Sequence, residues 1–341
     1  MNKRPFVVLL AFVAAASLLA AAASAETRLG GYFSLDYLKG KAPDPYAGGS
    51  IQNFVAGLLL SGEFSAQLTY AVEVQALAAD KFEVQQAWAA YLSSDAFHAR
   101  VGLFLVPFGK YNESARAFQT RLVQAPLPVG WLAPAGWRDL GAMVEGRMGP
   151  VVYAGYVGNG LAEAERLSGG QQFQDNNRSK GLGGRLGLLW GANFEIGGSY
   201  YTGKVDAADT LALTLKGLDA TWTTENIRLS GEYAKAAIAN PAPFAAGSAE
   251  GWFVELALKF DSWTPLAAYQ KARTDDPYHG PGFDPSGVPG SGLFERRSFW
   301  AVGLVYTLHP NVLLKGEYDF DVRDEQGSRN PVVRIQAAAR F

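Results

Sequence analysis

The chain has 341 residues, with 30 Lys and Arg, 32 Asp and Glu, three His, no Cys and a formal net charge of −2. That near balance excludes a nucleic-acid binder, which would concentrate basic charge. The absence of Cys excludes a disulfide-stapled secreted domain, a thiolate metal site and a lipid-anchored lipoprotein.

Residues 1–25 read as a signal peptide. Lys3 and Arg4 precede an apolar core from Pro5 to Ala22, and Ala23-Ser24-Ala25 is an A-x-A cleavage site, so export with cleavage after Ala25 leaves one unit, residues 26–341. Loss of Lys3 and Arg4 takes the formal charge to −4. Beyond the leader no segment holds the roughly 18 consecutive apolar residues that mark a spanning helix.

From Glu26 onward the pattern has period two. Thr27 to Leu38 puts Leu29, Gly31, Phe33, Leu35 and Tyr37 on one face, and Arg28, Tyr32, Ser34 and Asp36 on the other. In Phe64 to Leu77, Leu68, Tyr70, Val72 and Val74 alternate with Gln67, Thr69, Ala71, Glu73 and Gln75. A helix would place Glu73 and Gln75 across its apolar face, so a strand is predicted. Sixteen such strands follow, near 27–38, 51–60, 64–77, 82–92, 97–105, 139–147, 151–158, 181–190, 194–204, 211–222, 227–236, 251–260, 263–272, 297–308, 312–321 and 331–341.

Seven connections are tight and rich in Gly, Pro, Asn, Asp and Ser, among them Ser61-Gly62-Glu63, Met148-Gly149-Pro150 and His309-Pro310-Asn311. They alternate with eight mostly longer ones: 39–50, 78–81, 106–138, 159–180, 205–210, 237–250, 273–296 and 322–330. Short and long alternating almost without error, with an even strand number, predicts an all-β fold. It is a 16-stranded antiparallel transmembrane β-barrel with short periplasmic turns and long external loops. Such a barrel belongs in a bacterial outer membrane, against its lipids and lipopolysaccharide. Aromatic girdles fit this: Phe97, Phe194, Trp222, Phe260, Trp263, Tyr306 and Phe341 fall beside short turns or at the terminus, and Tyr37, Tyr233, Trp252 and Phe320 beside long loops. The last strand alternates and ends on Phe341, which resembles the signal read by the bacterial barrel-assembly machinery.

The opposite face is charged on almost every strand. Expected lumen-wall residues are Glu73, Arg100, Glu145, Arg147, Arg185, Arg228, Glu232, Lys315 and Glu317, with Lys204, Lys216, Asp219, Glu255, Lys271 and Arg334 also assigned inward. Unpaired ions in a dry core would each cost several kcal/mol. A sixteen-strand barrel instead leaves a water-filled channel. Small solutes and ions are its expected traffic, and no cofactor or metal is called for.

Between Val106 and Asp139 the alternation fails over 34 residues. Connections this long are usually functional. Lys110, Arg116, Arg121 and Arg138 stand against Glu113 and Asp139, and Phe118, Leu122, Val123, Leu127, Val129, Trp131 and Leu132 supply an apolar packing face. The expected constriction is therefore Lys110, Glu113, Arg116 and Arg121, with the loop either inside the lumen or folded over the mouth.

Several stretches carry a family likeness: RVGLFLVPFG at Arg100–Gly109, WRDLG at Trp137–Gly141, GLDA at Gly217–Ala220 and SGEYA at Ser230–Ala234. In these the chain resembles bacterial outer-membrane porins, especially the phosphate-selective porin O/P-like group. The resemblance implies a passive channel, often a homotrimer, with its third long loop folded inside. Phosphate selectivity does not carry over, because acids and bases interleave along the wall and no concentrated ladder of positive donors appears. A general or weakly anion-preferring pore is expected.

Two other functions compete with a general pore. A substrate-specific channel for phosphate, another anion or a sugar would use aromatic contacts, but only Tyr32, Tyr91 and Phe104 are assigned inward. A barrel enzyme needs a converging set of Ser, His and Asp, and His98, His279 and His309 are placed on a wall, in a long loop and in a short turn. Asp275, Asp276 and Asp284 lack calcium-loop spacing.

Overall fold

The computed structural model describes residues 27–42, 46–77, 81–164, 166–276, 278–279, 296–324, 327–328 and 330–341. The predicted leader with its cleavage site, and Asp284, lie outside them. Sixteen strands follow in chain order: β1 (Thr27–Lys39), β2 (Ser50–Ser65), β3 (Leu68–Leu77), β4 (Lys81–Ser94), β5 (Phe97–Leu105), β6 (Arg138–Met148), β7 (Val151–Gly158), β8 (Gly181–Trp190), β9 (Phe194–Lys204), β10 (Ala212–Thr223), β11 (Ile227–Ile238), β12 (Gly247–Leu258), β13 (Trp263–Asp276), β14 (Arg296–His309), β15 (Val312–Asp324) and β16 (Val332–Arg340). Residues Gly327–Ser328 add a two-residue pairing to the end of β15.

Each strand runs antiparallel to the next, and β1 also pairs with β16, from Tyr32 opposite Arg340 to Lys39 opposite Val333. The sheet therefore closes, which leaves no strand edge for another chain to extend. Gly31 and Phe341 exchange two N–H···O bonds of 2.9 Å at the seam. The turn predicted at Ser61-Gly62-Glu63 is instead ladder: Gly62 lies opposite Thr27 of β1 and Tyr70 of β3, and the chain reverses after Ser65. Turn-forming residues stay extended there because both neighbouring strands are long enough to bond them.

Alternation sorts the side chains as predicted for most of the ring. On β10, Leu218 is 61% exposed while Asp219 beside it is 4% exposed. The assignment fails where the phase shifts. Between β3 and β4, Glu73 lies opposite Gln86 but Val74 opposite Val84, so Gln85 is a bulge residue. The extra residue reverses the faces beyond it. Tyr91 consequently points outward, not inward, and Gln86 and Trp88 take its place inside. Lys204, Lys216 and Lys271 are also outward. Lys216 is three residues from inward Asp219, an odd spacing that one face cannot hold, and it sits opposite Tyr200 and Lys235. Lys271 lies opposite Trp252 and beside the buried Gln270. Lys204 continues the outward row of Tyr200 and Thr202.

On β11 to β14 many inward positions are small: Ala234, Ala236, Ala249, Ala257, Ala268, Ala272 and Ala301 are all buried. Leu122 and Leu127 from the 106–137 connection pack among Ala257, Leu266, Ala268 and Phe299. Leu132 and Trp137 join Phe104, Tyr156, Tyr201 and Leu215 in a second cluster.

Candidate functional site

The 106–137 connection is built from its base upward. Val106 N–H donates to Trp137 O at 2.9 Å, closing the loop where β5 ends and β6 begins. Asn112, 3% exposed, staples the same two residues, donating to Val106 O (2.9 Å) and Trp137 O (2.8 Å) and accepting from Trp137 N–H (2.7 Å). Gly109 stands at φ +65° in a region that favours glycine, and a Cβ there would lie 2.3 Å from Glu232 Oε2. The tight approach brings the Lys110 and Tyr111 N–H groups to Glu232 Oε1 at 2.6 and 2.5 Å. Further on, Pro126 precedes the five-residue helix α1 (Leu127–Trp131), with Pro128 in its first turn.

Side chains from widely separated strands hold the loop. Gly109 N–H donates to Ser199 Oγ of β9 (3.0 Å), Val123 N–H to Glu317 Oε2 of β15 (2.7 Å) and Leu127 N–H to Gln270 Oε1 of β13 (3.0 Å). Lys315 donates to Ala117 O and, at 3.1 Å, to Thr120 Oγ1. On β3, Glu73 receives both arms of the Arg116 guanidinium together with Tyr32 O–H (2.7 Å) and Gln86 Nε2 (2.8 Å). Phe118 packs on Tyr32 with ring centroids 5.3 Å apart.

Bases and acids are mostly paired. Lys110 Nζ lies 3.2 Å from Glu195 and 3.8 Å from Glu113. Arg121 is 3.7 Å from Glu255, and Arg100 is 2.5 Å from Glu145 with its guanidinium 4.3 Å over Trp88. Arg185 bridges Asp219 (2.5 Å) and Glu195 (2.9 Å), and Arg334 bridges Asp319 (2.9 Å) and Glu317 (3.7 Å). Arg138 joins Glu83 and Gln85, both at 2.7 Å.

Two large cavities border the loop. One, of about 310 Å³, is lined by Asp36, Asn53, Glu73, Glu83, Arg116 and Arg138 among others. The other, of about 420 Å³, is lined by His98, Lys110, Glu113, Glu145, Arg147 and Arg185. A smaller one, of about 50 Å³, touches Arg121, Arg228 and Glu255. Both larger chambers mix signs, and a charged lining of this kind is unlike the mostly apolar pockets that hold drug-sized ligands.

A family model described as Gram-negative porin matches residues 9–326. The chain belongs to that family. Its family and fold place this porin in the outer membrane and point to a channel rather than an enzyme. No curated protein sequence matches it. Among solved structures it is similar to the anion-selective porin of Comamonas acidovorans (12% identity, 93% of this chain and 100% of that one, TM-score 0.66). It is also similar to Salmonella typhi OmpF in complex with daunomycin (12%, 92% and 97%, TM-score 0.66). The in-vitro folded OmpT of Vibrio cholerae in its trimer form is a third such structure (10%, 93% and 99%, TM-score 0.65). Identities this low speak for the fold alone.

Set in this porin, the expected site residues divide into two groups. Lys110, Glu113 and Arg116 line the larger cavities, and so do Glu73, Glu145, Arg147 and Arg185. Arg121 and Arg228 border the small one. Glu232 borders the small one too and also anchors the loop, as Lys315 and Glu317 do. Asn112, Ser199 and Gln270 escaped the sequence reading because an uncharged side chain inside a strand or loop carries no mark of its distant partner. The inward alanines of β11 to β14 were the available sign that something packs on that wall. The histidines do not converge: His98 lines the 420 Å³ cavity, and His309 Nδ1 accepts from Asn311 N–H in a short turn. Asp275 pairs with Arg273 and Asp276 accepts from Ser248.

Proposed function

We propose that this porin is a passive, general-diffusion channel for small hydrophilic solutes and ions, with the 106–137 connection folded into its lumen as the constriction. The observation that carries the reading is the set of bonds from that one connection to inward side chains of β3, β9, β11, β13 and β15, with a cavity of about 310 Å³ and one of about 420 Å³ beside it. Solutes pass beside Lys110, Glu113, Arg116 and Arg121. Each of the three bases already faces an acid, so any anion preference is slight and phosphate has no dedicated ladder. Export follows cleavage after Ala25, assembly uses Phe341 as the recognised terminus, and the working unit is a homotrimer, as the Vibrio cholerae relative's trimer form supports.

Planar-bilayer recording of the refolded chain tests this. Stable open-channel current with a reversal potential near zero in a salt gradient is expected, with no competition by phosphate. Absence of conductance would sink the pore reading. Replacing Lys110 and Arg121 with Glu should shift the reversal potential toward cations, and an unchanged value would remove the loop from the constriction.

A further inference from the structure

The chamber of about 310 Å³ lies toward the long-loop ends of β1 to β4, between those strands, β16 and the 106–137 connection. Its charges are already matched. Glu73 takes both arms of Arg116, one of them at 2.7 Å. Glu83 takes Arg138 at 2.7 Å and Lys81 at 2.6 Å. Asp36 accepts from the Asn53 amide at 3.0 Å and from the Gln336 amide at 2.8 Å. The chamber of about 420 Å³ is different. There Arg147 donates to Gly149 O at 2.9 Å, and neither it nor Asp95 has an ion pair among the described residues.

What the 310 Å³ chamber leaves open is hydrogen-bonding capacity. Gln336 and Arg138 are each only 4% exposed, yet Gln336 Oε1 and Arg138 Nε have no hydrogen-bond partner. Both residues line the chamber. Gln85 accepts from Arg138 through Oε1 and Asn53 donates to Asp36 through Nδ2, and the other end of each amide has no partner among the described residues. Gln75, on the same wall, has none at either end. Buried donors and acceptors without partners cost free energy and are rare in native proteins. Here donors and acceptors stand open side by side. A carboxylate only accepts and an ammonium only donates, so each meets half of this set, whereas a hydroxyl does both.

We propose that this chamber is a transit site for an uncharged polyhydroxylated solute of the monosaccharide class, seated by Asn53, Gln75, Gln85, Arg138 and Gln336. Its volume is near the lower bound for small-molecule sites, which suits a single sugar ring and not a chain. Saturated ion pairs give an ionic solute little to gain there, and the mixed donors and acceptors give a ring of hydroxyls several bonds at once. Tyr32 and Tyr111 reach the wall, but their rings pack on Phe118 and Phe253 and offer no stacking platform. The solute therefore pauses and moves on. Its traffic rests on the pore reading, and its binding does not.

Glucose is added to both sides of a planar bilayer holding the full mature chain. The open-channel current should fall along a saturating curve. A short polyethylene glycol of similar size, with few hydroxyls, should lower it only in proportion to viscosity. Gln75→Leu keeps the volume and removes no bond within the protein. It should raise the half-blocking glucose concentration about fivefold, equivalent to about one net hydrogen bond. Equal and linear effects of glucose and the glycol overturn the proposal. So does a saturating curve that Gln75→Leu leaves in place, which would put the site elsewhere. Stronger blocking by gluconate or glucosamine than by glucose would make it a site for ions and overturn it too. Saturation-transfer NMR with glucose, on the protein in a detergent without a sugar headgroup, reads the same binding with no current. Absence of current would therefore strike the pore reading alone, provided that transfer to glucose is seen and weakens in Gln75→Leu. Absence of transfer overturns the site.

Discussion

Glu73 shows how much one lumen carboxylate can hold. It is fully buried and takes both arms of Arg116, the Tyr32 hydroxyl and the Gln86 amide. Alternation along β3 was enough to put it inside, but nothing local announced a partner 43 residues away in a loop. Glu73→Gln keeps the shape and leaves Arg116 uncompensated. A unit charge a few ångströms away in a water-like medium is worth roughly 1 kcal/mol, so the anion-to-cation permeability ratio should rise about two- to fivefold. Bilayer reversal potentials measure this, and no shift would mean that Arg116 is remote from the solute path. Asn112 makes the complementary point: three bonds close the loop base, and Asn in a Pro- and Gly-rich segment looks like ordinary turn chemistry.

At the level of elements, strands were readable to within a few residues because period two survives wherever one face meets lipid and the other water. Boundaries were lost where the neighbouring strand decides them, as at Gly62, and faces were lost past the Gln85 bulge, which has no residue-type signature. Connections beyond the third were legible only as lengths. The one between β9 and β10 turns out to be organised by Asp206, which accepts from Thr210 Oγ1 (2.7 Å), Thr210 N–H (2.9 Å) and Leu211 N–H (2.6 Å). Burial alone would raise its pKa, but these donors outweigh it and hold the carboxyl below the usual aspartate value. A depressed folded value means that the stabilisation is complete above the unfolded aspartate pKa and is lost as pH falls through the folded one. Hydrogen exchange at the Leu211 amide should therefore be flat at neutral pH, apart from its intrinsic pH dependence, and lose protection only in acid below the aspartate range. Protection that persists in acid, or an unchanged rate in Asp206→Ala, would contradict this.

For the whole molecule, the closed ring and the filled alanine sector are distinct achievements. The ring is set by pairing and by lipid-facing apolar residues, so loop substitutions should alter current without unfolding the barrel. The seam is the exception. Deleting Phe341 removes two hydrogen bonds to Gly31 and the ring that covers it. About 1–3 kcal/mol of stability should go with them, seen as a lower temperature for the gel-mobility transition between folded and heat-denatured forms. An identical transition temperature would show that the Phe341 seam bonds add no stability to the ring.

That seam also sets a timetable. Asp36 on β1 is bonded to Gln336 on β16, 300 residues later. β1 is thus fully satisfied only when β16 is in place, and one of its hydrogen-bonding edges stays open until then. Contacts so distant in sequence form slowly, and an open edge is a hazard in the meantime. A chain built this way gains by being kept unfolded in transit and closed in a single late event at the membrane.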